Sequence, residues 1–145
     1  MALQGEAAVR VRGLVLVLAL AALSCDGGVS LRGRVMDGAG APIEGAMVRV
    51  SRQGYYGEAR TAESGCLEIF GVVAPGRYSF SVVVEAPGRK ALTTEIETLD
   101  SYHCEFVLVP ETSEARSASE CETNLDLAGW ERQCPEPVLG GVEWN

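Results

Sequence analysis

From Val29 to Val109 apolar and polar residues alternate with a period of two, in short runs broken by glycine and proline. Leu31, Gly33 and Val35 share one phase of a first strand, and Arg32 and Arg34 take the other. DGAGAPIEG (Asp37 to Gly45) follows as a loop, with glycine for positive φ and Pro42 for a fixed one. A second strand is expected over Ala46 to Arg52, with Val48 and Val50 inward and Arg49 and Ser51 outward. QGYYGE (Gln53 to Glu58) reads as a turn into a short third strand at Ala59 to Ala62. CLEIF places Leu67 and Ile69 on one phase and Glu68 on the other. In RYSFSVVVE, Tyr78, Phe80, Val82 and Val84 alternate cleanly with their neighbours. Leu92 and Ile96 mark a sixth strand, and YHCEFVLV a seventh with Cys104, Phe106 and Leu108 inward. Seven strands without a helical period predict an all-β fold, a seven-stranded antiparallel β-sandwich.

The first 24 residues follow a different rule. Arg10 and Arg12 precede GLVLVLALAAL, a run with no charge. At ~1.5 Å per residue such a helix is on the order of 16 Å long. The hydrocarbon core of a bilayer is about 30 Å thick, so this is no spanning helix. A basic start, a short apolar run and small residues at its end predict a secretory signal peptide over residues 1–24. Ala21-Ala22-Leu23-Ser24-Cys25 resembles the lipobox of bacterial lipoproteins. The resemblance implies that Cys25 becomes the new N-terminus and carries acyl chains on its sulfur and amine. Residues 25–28, Cys-Asp-Gly-Gly, then form a short tether. The lipobox family favours Leu where this chain has Ala22, and an ordinary signal peptidase cut after Ser24 is the alternative.

Charge and cysteine count sharpen this picture. The net charge of -8 is uneven: +1 over residues 1–24, -3 over 25–109 and -6 over the tail, 110–145. A nucleic-acid binder would cluster Lys and Arg, and this chain has one lysine, Lys90. Five cysteines leave one unpaired in an oxidising compartment. With Cys25 lipidated, Cys66, Cys104, Cys121 and Cys134 form an even set. Segment proximity favours Cys66–Cys104 with Cys121–Cys134, the latter closing a loop around Leu125, Leu127 and Trp130. Against it, Cys66 lies on an outward phase and Cys104 on an inward one, and tail cysteines clamped to the body are the other solution.

GRVMDGAGAPIEGAMVRV is similar to the opening of carboxypeptidase regulatory-like domains: strand, Asp, Gly-Pro turn, Gly-Ala, strand. TAESGCLEIFGVVAPGRYSFSVVVEAPGR continues the pattern, with its Thr-x-x-x-Gly turn and its Pro-Gly-x-Tyr entry to a long strand. The resemblance covers residues 29–110 and implies a transthyretin (prealbumin)-like sandwich, leaving 111–145 as an acidic, cysteine-containing tail. In the namesake enzymes this domain accompanies a zinc peptidase domain and is not itself catalytic.

The candidate chemistry is sparse. A catalytic zinc site needs about three protein ligands, and His103 is the sole histidine. His103 and Cys104 are strand neighbours facing opposite ways, which excludes a Cys-His pair. Hydroxyisourate hydrolases share the transthyretin scaffold, but their site uses several histidines and their chain ends Tyr-Arg-Gly-Ser; this chain ends VEWN. Asp37 in its Gly-rich loop reads as turn chemistry, since the other carboxylates of a calcium loop are missing. Tyr55 and Tyr56, flanked by Gly54 and Gly57, are the candidate ligand contact at a loop tip. The expectation is a non-catalytic lipoprotein of the bacterial envelope, a binding or structural module facing the periplasm or the cell surface. Its partners are the membrane, through the lipid, and an envelope protein or glycan. The alternative is a carbohydrate-binding module working through Tyr55-Tyr56. No cofactor, metal or nucleic-acid partner is expected.

Overall fold

The computed structural model describes residues 27–74, 76–97, 101–123 and 126–144; the signal peptide expected over 1–24, Cys25 and Leu125 lie outside them. Among the described residues nine strands and one helix follow in order: β1 (Gly27–Asp37), β2 (Met47–Arg52), β3 (Tyr55–Arg60), β4 (Cys66–Val73), β5 (Ser79–Glu85), β6 (Leu92–Glu97), β7 (Ser101–Leu108), β8 (Ala118–Glu122), α1 (Leu127–Gln133) and β9 (Val138–Trp144). They form one curled sheet in the order β6-β5-β2-β3-β9-β4-β1-β7-β8. The fold is all-β, and three expectations about it change. Two strands beyond the expected seven come from the tail. The sheet is mixed, because β1 pairs parallel with β7 and β4 parallel with β9. No structural boundary falls at residue 110, since β8 extends the sheet beyond β7 and β9 joins its two halves.

The core is built from the inward phases of the body strands. Leu31, Val48, Leu67, Ile69, Phe80, Val82, Phe106 and Leu108 are fully buried. Each such side chain contributes roughly 1.5–3 kcal/mol through removal of apolar surface from water. Among the described residues Thr61 is the buried polar one, and both sides of its hydroxyl are used: Oγ1 donates to the Ile43 carbonyl at 2.5 Å and accepts from Ala46 N at 2.9 Å. At the Asp37 loop, one carboxylate oxygen accepts from Ala39 N and Ala41 N, both at 2.9 Å. That side chain closes the turn.

The junction of the two half-sheets depends on glycine. A Cβ at Gly57 would lie 2.4 Å from the Gly141 carbonyl oxygen, and one at Gly71 would lie 2.6 Å from Val142 Cβ. With no side chains there, β9 fits between β3 and β4 and inserts Val142 into the core.

The β2–β3 hairpin corrects another expectation. Arg52 pairs directly with Tyr55, so the connection is only Gln53-Gly54. Gly54 adopts φ +83, the left-handed conformation that two-residue hairpin turns require. Tyr55 and Tyr56 are therefore the first residues of a strand and not a loop tip.

Candidate functional site

The outer surface of the β9-β4-β1-β7-β8 half-sheet carries the unusual side chains. Strand β4 presents Cys66, Glu68, Phe70 and Val72 outward, and β1 presents Gly28, Ser30, Arg32 and Arg34 beside them. Near the C-terminal end of β1 this face is covered. Helix α1 lies over it, with Trp130 4% exposed and packed against Cys66 and Cys134. Asp126 caps the helix by accepting from Gly129 N at 3.1 Å. Cys134, next after the helix, is bonded to Cys66.

The second disulfide joins Cys104 to Cys121, directly opposite each other on β7 and β8. Both bonds tie tail to body, so the favoured Cys66–Cys104 and Cys121–Cys134 pairing is replaced by the clamp. The cause is the pleat: Cys66 and Cys104 point to opposite faces, and each finds a tail cysteine on its own side. All four downstream candidates are thus paired.

His103 stands on the same outer face, its ring edge-on to Trp130 with centroids 5.0 Å apart. With Glu105, Glu120 and Glu122 it lines an open depression of about 210 Å³. His103 Nε2 has no hydrogen-bond partner among the described residues. Among the described residues the depression is lined by one imidazole and three carboxylates. Among the described residues no group of three ligating side chains is placed to hold a metal.

The tyrosine pair separates. Tyr55 is buried, its ring edge-on to Phe80 and its hydroxyl accepting from Ala74 N at 3.2 Å. Tyr56 points outward and donates a hydrogen bond to the Glu58 carboxylate. That bond, with the nearby negative charge, holds the phenol above its usual 10.0. Glu58 and Glu85 in turn flank Arg49 at 3.7 and 2.7 Å. Only one of the two rings faces solvent, and its hydroxyl is engaged within its own strand.

Where the tail helix does not reach, the outer face is apolar. Phe70 is 58% exposed, Val72 54% and Leu139 74%. Small neighbours explain the exposure: Phe70 stands between Ser30 and Gly141, and Val72 beside Gly28. Arg32 and Glu68 border the strip as an ion pair at 3.1 Å. Sequence reasoning passed over Phe70 and Val72, although they share the outward phase of Glu68 and were readable from it.

Fold and face together define a β-sandwich whose own tail is cross-linked onto one sheet. Residues 30–105, more than half of the 145, match the carboxypeptidase regulatory-like domain, and the chain belongs to that family. Comparison with curated proteins yields no match. Solved structures similar in part include 3-chlorocatechol 1,2-dioxygenase from Rhodococcus opacus 1CP (15% identity, TM-score 0.46, 57% of this chain and 59% of that one). Hydroxyquinol 1,2-dioxygenase from Pseudomonas putida DLL-E4 is another (18%, 0.47, 61% and 58%). Catechol 1,2-dioxygenase from Pseudomonas arvilla C-1 is a third (16%, 0.46, 64% and 55%). The chain spans little more than half the length of these structures. The expectation of a non-catalytic binding or structural module is corrected here. A fold does not fix an activity, so membership of the family gives no ground for the word non-catalytic. The carbohydrate-binding alternative falls with it, because the paired tyrosines it needs are not paired at the surface.

Proposed function

We propose that this chain is exported, loses residues 1–24, and is held at a bacterial envelope membrane by acyl chains on Cys25, with the cross-linked sandwich displayed outside the cytoplasm. One observation carries the reading: the four downstream cysteines are consumed in two tail-to-body disulfides, Cys66–Cys134 and Cys104–Cys121. Such bonds persist in oxidising compartments. They also leave Cys25 as the odd cysteine, in a context that resembles a lipobox. Two acyl chains on one residue give stable attachment, where one is marginal.

Partition between detergent and aqueous phases tests this. The protein made in a bacterial host is expected in the detergent phase, and a Cys25→Ser variant in the aqueous phase. An unchanged partition of the variant would overturn the anchor.

A further inference from the structure

We propose that the uncovered outer face of β9, β4 and β1 lies flat against the bilayer that holds the protein, with Phe70, Val72 and Leu139 in the headgroup region. The proposal rests on the anchor at Cys25. Its first support is distance. Cys25 is two residues before Gly27, a chain length of at most about 7 Å. Gly27 opens β1 in register with Val73, and Gly28 lies beside Val72. Phe70 is opposite Ser30, three residues further, so it stands about 10 Å along the strand from Gly27. A lipid on Cys25 therefore brings the strip to the membrane surface.

The second support is the division of the face. Its other half is covered by α1, fixed by Trp130 and the Cys66–Cys134 bond. The half nearest the anchor keeps three large apolar side chains exposed.

The third support is size. Three side chains fall far short of the roughly 800 Å² per partner of a stable protein interface. They suffice for a surface already held in place, because tethering makes docking an intramolecular event. Among the described residues, the charges beside the strip are paired: Arg32 with Glu68 on β1 and β4, and Glu58 with Arg49 across β9. Contact is therefore apolar, and uncharged phosphatidylcholine is a sufficient surface.

A tryptophan at position 70 tests the proposal. The full exported chain carrying Phe70→Trp is reconstituted into phosphatidylcholine vesicles containing a doxyl-lipid quencher. The parent protein supplies the Trp130 and Trp144 background. Thr93→Trp, on the exposed phase of β6 in the other half-sheet, is the control. The expected result is blue-shifted emission from position 70, quenched by doxyl groups at a depth of about 5–10 Å, with position 93 unquenched. Val72→Trp should repeat it, which protects against misfolding of one variant. The mass of the N-terminal peptide is measured on the same sample. Acylated Cys25 with position 70 as water-exposed as position 93 overturns the docking and leaves the anchor standing. Cys25 without acyl chains overturns both. Emission already blue-shifted before vesicles are added means another occupant, a second copy or a retained leader, and also overturns the docking.

Discussion

Single residues carry measurable consequences here. The Tyr56 phenol sits above its usual 10.0 because Glu58 accepts its hydrogen bond. A raised value in the folded state means that the contact stabilises the fold at pH below the unfolded phenol's midpoint. It is lost as pH rises through the folded one. Absorbance titration of tyrosinate should show a late midpoint for Tyr56, and Glu58→Gln should bring it back toward 10.0. An unmoved midpoint would remove Glu58 as the cause. Trp130 is the residue on which α1 rests. Trp130→Ala, with the disulfides intact, should cost on the order of 3 kcal/mol in urea unfolding through lost burial and the cavity left behind. A midpoint equal to the parent's would mean that the cross-link alone holds the helix.

Among the elements, β9 depends on a seam with no room for side chains. Gly71→Val places a branched side chain where Val142 Cβ would be 2.6 Å from the new Cβ. The expected outcome is displacement of β9, with a loss of about 1–3 kcal/mol or more from overpacking. Amide exchange locates it: protection should fall at residues 140–142 and persist in β5 and β2. Uniform loss across all strands would contradict an independent β9. The same element marks the limit of what was legible in the sequence. Alternation placed β1, β2 and β4 to β7, because each buries one face and so repeats with period two. VLGGVEW hides its strand, since its two glycines break the alternation, and at Gly140 a Cβ would lie 2.7 Å from the Glu58 carbonyl oxygen. ASECE offers no large apolar side chain, the pattern of an edge strand that has little core to face. YYGEAR was divided between loop and strand because Gly54 and Gly57 resemble paired turn residues. Only Gly54 turns the chain, while Gly57 makes room for β9. For the disulfides, strand phase was the better guide and proximity along the chain the worse one.

At the scale of the whole molecule, the acidic tail is part of the sandwich. Its return to the sheet makes the domain larger than the family match alone, and two cross-links hold it there. In the chain-entropy account, loops of 68 and 17 residues contribute roughly 4 and 3 kcal/mol by constraining the unfolded chain. Reductant should therefore lower the urea midpoint steeply, whereas a chain stable without its bonds would show coincident curves. Non-reducing peptide mapping should recover Cys66 with Cys134 and Cys104 with Cys121. Recovery of Cys121 with Cys134 would contradict the clamp. Four cysteines cross-link the fold, and in the proposed function the fifth, Cys25, attaches it. The most direct test is the intact mass of the protein isolated from a bacterial envelope, read together with its N-terminal peptide. The account predicts a chain beginning at Cys25, heavier by its acyl chains and lighter by the four hydrogens of two disulfides. A mature chain with an unmodified Cys25 thiol, or one that still carries residues 1–24, would contradict it.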